Sequence, residues 1–204
     1  EGVQDRILNY EFNVHILSSN VGDRDVIQIF RRMNSTSYSL KKQELLNSQY
    51  FGEFKTSQYN LAAEQLEQWR KWKTFTEGDF SRMQEIELIS ELVISMIGKK
   101  VFGKSATQIE AYYKKFDEDY PDRERVEDRF RNTIEFIDTN FQGNKNDFVF
   151  YKKTIFYTFF MVIYDLLYGL GSGTSKKATP NKIPIAKIES LKLKGDRIKD
   201  RTAP

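Results

Sequence analysis

The segment from Phe80 to Ile97 limits the possible folds of this chain more than any other stretch. Its apolar residues recur at helical spacing and cover most of the circumference of a helix, and Gly98 follows as a stop signal. A helix that is apolar on most sides has to be covered by other elements. We therefore predict a central core helix here. Its apolar positions are Met83, Ile86, Leu88, Ile89, Leu92, Val93, Met96 and Ile97.

Three further segments have the periodicity of amphipathic helices, and they predict the elements that surround the core helix. They are residues 50–75, 105–116 and 123–141. Trp69 and Trp72 lie among basic residues in the first segment, a combination that can also stack on nucleic-acid bases. We predict that both rings point into the core, because a helix that buries its rings and keeps its charges in water explains the pattern more simply.

The most apolar stretch, residues 148–170, is predicted to form a buried helix that closes the bundle. Lys152, Lys153 and Asp165 interrupt it, and the run between them is shorter than the roughly 20 residues that span a bilayer. We therefore expect no membrane partner.

Residues 7–18 have the alternation of a β-strand. Phe12, Val14 and Ile16 fall on one face, and His15 falls on the other. A strand needs a partner, and the rest of the sequence offers none. We therefore expect a mainly α fold, a bundle of about six or seven helices, preceded by one or two β-strands whose sheet must come from elsewhere. The residues before the strand are predicted to form a short helical lead-in.

The side-chain inventory excludes several kinds of site. The chain has no cysteine and a single histidine, so it contains no disulfide framework, no thiolate metal site and no His-containing nuclease motif. We predict no catalytic residue and no metal site in this chain. The lack of cysteine and of a visible secretory signal suits a cytoplasmic location.

The basic character of the chain lies near its C-terminus. Residues 176–201 hold nine of the 32 Lys and Arg residues and three of the 29 Asp and Glu residues, so their net charge is +6 and that of the remainder is −3. A Gly- and Ser-rich hinge precedes this segment. A basic arm can contact nucleic-acid phosphates. The contact candidates are Lys176, Lys177, Lys182, Lys192 and Lys194.

Residues 25–54 predict two short helices that meet at a polar corner, with a turn at residues 35–39. The second helix should begin after Lys41 as its N-cap. Glu44 then occupies the third helical position, from which its carboxylate can accept a hydrogen bond from a free amide of the first turn.

These residues resemble one region of the family typified by the N-terminal half of GmrSD-type restriction endonucleases, the large ParB/sulfiredoxin-like family of phage-defence proteins. The family pattern is Phe-x-Arg-x-Asn, a loop, Leu-x-x-x-Glu-Leu, an Asn, and then aromatic-Gly-x-Phe. The matching positions are Phe30, Arg32, Asn34, Leu40, Glu44, Leu45, Asn47, Tyr50, Gly52 and Phe54. Lys41 departs from the family, which often carries Asn, Ser or Thr there. A second family pattern, Arg-x-x-Asp-x-Glu, resembles the sequence from Arg82 to Glu87, where we expect Arg82 to form a structural salt bridge.

The resemblance implies a fragment of a nucleotide-dependent, modification-type DNA restriction protein that acts in anti-phage defence. In that interpretation, the corner contributes to a pocket that an upstream domain completes. The candidates are Phe30, Arg32, Asn34, Glu44 and Asn47. The residue types alone also allow a purely structural interpretation, in which the apolar residues are core and the polar ones end helices.

The same resemblance implies partners and cofactors for the full-length protein. They are a missing N-terminal α/β domain of the ParB-like type, from which the one or two β-strands would be left, DNA, and a His-Asn-His nuclease domain or subunit. The cofactors would be an NTP and a divalent ion; the fragment itself would hold none and would be inactive alone. The implied domains are a remnant strand at 1–20, a helical bundle at 21–170, and a flexible hinge and basic tail at 171–204. The alternative is a non-catalytic helical interaction module whose basic tail docks a partner domain or nucleic acid.

Overall fold

In the part of the chain that it describes, the computed structural model consists of helices and turns, with no strand. The described residues are 2–11, 14, 16–18, 21–22, 25–26, 29, 40–102, 105–141, 150 and 152–170. The chain divides into two compact units, Glu1–Leu40 and Lys41–Pro204. The mainly α fold class is thereby confirmed, whereas the domain limits at residues 20 and 170 stay predictions.

Helix α1, Val3–Leu8, lies in the first unit. The Gly2 amide donates a hydrogen bond to Oδ2 of Asp5 at 3.0 Å. This acceptor satisfies one of the amides that a helix start leaves without a partner. The predicted helical lead-in is therefore confirmed.

The described residues between 7 and 18 do not form the predicted strand. Ile7 and Leu8 belong to α1, and none of the described residues between 9 and 18 is in a strand. A lone strand leaves its backbone groups without partners, whereas a helix pairs them within the segment. Phe12 and His15 lie outside the described residues.

Eight helices are described in the second unit. They are α2 Lys42–Gln49, α3 Glu53–Glu64, α4 Leu66–Trp72, α5 Glu77–Phe80, α6 Gln84–Gly98, α7 Ala106–Lys115, α8 Arg123–Phe141 and α9 Lys153–Tyr168. The bounds of α8 agree with the prediction, and those of α7 differ by one residue at each end.

The number of helices exceeds the prediction because two predicted helices are interrupted. Gln65 ends α3 and precedes α4. The core helix begins only at Gln84, because Met83 has a left-handed backbone with φ 54°. Its predicted stop, Gly98, is still helical, and the left-handed residue that ends the helix is Lys99, with φ 51°.

Helix α6 is the central element of the second unit, as predicted. It contacts α2, α3, α5, α7, α8 and α9. Ile89, Leu92 and Val93 are completely buried, and burial of one such side chain contributes about 1.5–3 kcal/mol. Because this helix is apolar on most sides, the other helices pack around it and bury its surface.

Helix α9 closes the bundle against α6 and α8. Phe156, Phe160 and Ile163 are fully buried. Among the described residues, no helix combines the length and the hydrophobicity that crossing a bilayer requires.

Both tryptophans lie in the core, which confirms the interpretation chosen from the sequence. Trp69 is fully buried and Trp72 nearly so. The Trp69 ring meets the Phe156 ring edge-on, with centroids 5.2 Å apart. Neither ring can stack on a base in this arrangement.

A chain of ion pairs joins α3 to α8. Arg123 bridges Glu53 and Glu127, and Arg131 bridges Glu127 and Glu64. Burial by itself would raise the pKa of Glu127, but hydrogen bonds from Arg123 and Arg131 outweigh it, and the pKa lies below its ordinary value.

Candidate functional site

The structure describes two of the five predicted pocket residues. Glu44 and Asn47 lie on α2. Phe30, Arg32 and Asn34 lie outside the described residues. The five lysines predicted to contact nucleic acid, Lys176, Lys177, Lys182, Lys192 and Lys194, also lie outside them.

Helix α2 begins as the sequence predicts. Lys41 is the N-cap, with an extended backbone (φ −69°, ψ 160°), and Glu44 is the third helical residue. The Lys41 amide donates a hydrogen bond to Oε2 of Glu44. The carboxylate thus substitutes for the cap that a lysine side chain cannot provide, since lysine has no acceptor.

The other oxygen of Glu44 faces a residue from a distant part of the sequence. Nη1 of Arg82 lies 3.4 Å from Oε1 of Glu44, and the side chains of Arg82 and Glu44 are 24% and 11% exposed. The sequence predicts a structural salt bridge for Arg82, and the partner in the structure is Glu44 on α2. The structure thus connects the start of α2 with the turn before α6.

The contact of Asn47 with α3 is made by its backbone. Its carbonyl oxygen accepts a hydrogen bond from Nζ of Lys55 at 2.8 Å, which links the end of α2 to the first turns of α3. The side chain is half-buried.

The last part of the motif, Tyr50, Gly52 and Phe54, is explained by packing. Phe54 is completely buried, and its ring lies within 5.1–6.4 Å of four other aromatic rings. Tyr50 is buried beside Tyr113, with ring centroids 5.8 Å apart. These positions therefore hold the α2–α3 corner against α7 and the loop that follows it.

Gly52 allows this corner to approach the loop closely. A Cβ on Gly52 would lie 1.6 Å from the carbonyl oxygen of Asp117. The Gly52 amide donates to Oδ1 of Asp117 at 2.8 Å, and the Glu53 amide donates to the Asp117 carbonyl at 2.9 Å. Asp117 thereby caps the start of α3 from the loop that follows α7.

A buried polar contact beside Glu44 was missed from the sequence. Gln43 is 2% exposed. Its Nε2 donates to the hydroxyl of Tyr113 at 2.8 Å, and Ser90 lies 3.4 Å from the same hydroxyl. Burial raises the pKa of Tyr113. Since Gln43 and Tyr113 are far apart in sequence, no local signal could have revealed this contact.

A cleft of about 280 Å³ lies between α6 and α9. At one end, Nζ of Lys153 contacts Oδ1 of Asp79 and Oε1 of Gln84, both at 2.6 Å. Burial alone would raise the pKa of Asp79, but hydrogen bonds from Lys153 and Thr76 lower it to about 2. Lys153 therefore ties the start of α9 to α5 and α6.

Within the described residues, no three acidic or histidine side chains come together as a metal site would require. At the start of α2, the Lys41 amide and the Arg82 guanidinium hold the Glu44 carboxylate from two sides. No family model matches the chain, and no curated protein or solved structure matches it either.

Proposed function

We propose that this chain is the helical part of a nucleotide-dependent, modification-type DNA restriction protein, in which the start of α2 contributes to a pocket completed by an upstream ParB-like domain. The NTP and its divalent ion would be held mainly upstream. DNA and a His-Asn-His nuclease domain or subunit would be the other partners, in the cytoplasm. The chain itself would orient groups and carry out no cleavage.

The observation that carries the proposal is the geometry of Glu44. Its side chain is 11% exposed, and both of its carboxylate oxygens face polar groups of the protein. The apolar and glycine positions of the same motif have a sufficient explanation in packing, whereas a nearly buried carboxylate costs free energy that packing does not return. Preorganised polar groups of this kind are typical of sites that bind or position a ligand.

The test is nucleotide turnover by a full-length protein with single substitutions. Arg32→Ala and Glu44→Gln should each lower turnover about tenfold, the effect of losing roughly 1.4 kcal/mol in the transition state. Glu110→Gln is the matched control, because it breaks the Lys42–Glu110 ion pair at another point of the same helix. Unchanged turnover in both test variants would remove the pocket role.

A second candidate function, a non-catalytic interaction module, is favoured by the first unit. Val3, Ile7 and Leu8 of α1 are 65%, 69% and 82% exposed. Apolar side chains presented together on a short helix are typical of a docking surface. In this interpretation the bundle docks a partner domain, and the basic tail contacts acidic surfaces or nucleic acid.

Two measurements separate this candidate from the first. In a full-length protein, Ile7→Ser with Leu8→Ser should increase proteolysis between this chain and its neighbouring domain, while nucleotide turnover by Glu44→Gln stays normal. If the five tail lysines contact five phosphates, raising the salt concentration from 50 to 200 mM should weaken DNA binding roughly 500-fold. DNA binding by residues 1–204 that is undetectable, or insensitive to salt, would contradict the role of the tail.

A further inference from the structure

The two oxygens of Glu44 are held from two different directions. Oε2 accepts from the Lys41 amide at the start of α2, and Oε1 lies 3.4 Å from Nη1 of Arg82. The first contact is local and stabilises the helix start. The second connects that start to the turn before α6, so the orientation of the carboxylate depends on both.

The turn that presents Arg82 is strained. Met83, the next residue, has φ 54°, a conformation that costs a non-glycine residue about 1–2 kcal/mol. The hydroxyl of Tyr59 contacts Sδ of Met83 at 3.3 Å, and the Arg82 amide donates to the Asp79 carbonyl at 3.1 Å. Strain that the surrounding structure maintains in this way is often associated with a functional position.

Glu85, on the first turn of α6, does not account for the position of Arg82. Glu85 is 9% exposed and its Oε2 has no hydrogen-bond partner. An ion pair between Arg82 and Glu85 would satisfy this buried carboxylate, yet the guanidinium lies against Glu44, 38 residues earlier in the chain.

We infer that Arg82 is the positioning residue of the Glu44 corner: its guanidinium fixes the carboxylate against the start of α2. This inference rests on the proposed function for its biological meaning, but its geometry can be tested without any activity. The contact of the guanidinium with Glu44 runs through Nη1, at 3.4 Å. A point charge should therefore replace it in part, although arginine and lysine are not interchangeable at two-point contacts.

The experiment measures amide exchange at Lys41 by NMR in the full chain. Arg82→Met should speed exchange of this amide by about fivefold, because the Glu44 carboxylate loses its second anchor. Arg82→Lys should restore most of the protection. Glu44→Gln should remove it, and adding Arg82→Met to Glu44→Gln should change it no further, as expected for two residues that act as a unit.

Arg70→Met is the matched control. Arg70 also forms ion pairs, but with Glu67 on α4 and Glu77 on α5, and its side chain is 47% exposed. Exchange at Lys41 should be unchanged in this variant, and amides of α8 should be unchanged in every variant.

Two results would overturn the inference: normal exchange at Lys41 in Arg82→Met, or exchange in Arg82→Lys as fast as in Arg82→Met. A separate result bears on the proposed function. If Arg82 controls exchange as expected but Arg32→Ala and Glu44→Gln both leave nucleotide turnover of the full-length protein unchanged, the positioning role stands and the pocket role is wrong.

Discussion

Replacement of Gly52 by alanine tests how the α2–α3 corner is held. The backbone of Gly52 has φ −87° and ψ −161°, an extended conformation that alanine adopts without strain. The obstacle is steric. The added Cβ would lie 1.6 Å from the Asp117 carbonyl oxygen, 2.3 Å from its carbonyl carbon and 2.4 Å from Oδ1. Two of these three atoms are backbone, so a rotamer change cannot relieve the clash.

The cost follows from the contacts that must be lost when the loop moves away. Three backbone amides are involved. The Gly52 amide donates to Oδ1 of Asp117, the Glu53 amide to the Asp117 carbonyl and the Phe54 amide to the Phe116 carbonyl. At about 1 kcal/mol for each net hydrogen bond, the free energy of unfolding should fall by about 3 kcal/mol. Alanine also reduces the conformational freedom of the unfolded chain, but this stabilises the fold by only about 0.4–1 kcal/mol.

The assay is urea denaturation followed by the fluorescence of Trp69 and Trp72, whose burial makes them reporters of the second unit. Gly78→Ala is the matched control, because a Cβ at Gly78 has its nearest neighbour, Oγ1 of Thr76, at 3.8 Å. We expect Gly78→Ala to be neutral or to stabilise by up to about 1 kcal/mol. If Gly52→Ala unfolds within about 0.5 kcal/mol of the parent, the close approach at Asp117 does not hold the corner.

Three further predictions concern the bundle. The pKa of Glu127 is lowered in the folded state, so this residue stabilises the fold above the ordinary glutamate pKa, and the stabilisation is lost as the pH falls through the lowered value. Glu127→Gln should therefore make the free energy of unfolding less dependent on pH in the acid range. Lys153→Met should raise the pKa of Asp79 from about 2, which a carboxyl NMR titration can follow. In denaturation experiments the free energy of unfolding should fall by about 1 kcal/mol at pH 7 and by little at pH 2. An unchanged pKa of Asp79 would contradict the ion pair. Trp69→Ala should cost about 3–5 kcal/mol in the same experiments, and a cost below 1 kcal/mol would show that this ring is not in the core.

Local patterns in the sequence determined most of the helices of the second unit. The apolar spacing of α8 predicts its bounds, and the same signal identifies α6 as the central helix. Lys41 and Glu44 were recognised as the start of α2, because a helix start depends on residues within one turn of each other. Periodicity and capping are physical properties of a few neighbouring residues, so the sequence displays them directly.

Only the tertiary structure decided which distant residues meet. The alternation at residues 7–18 indicated a strand, but a strand depends on a partner, and the described residues of that segment form none. The ion pair between Glu44 and Arg82 and the contact of Gly52 with Asp117 join residues at least 38 positions apart. Such contacts form when the apolar faces of helices pack together and place the polar residues beside them close to one another. The spacing of residues along the chain does not show which pairs will meet.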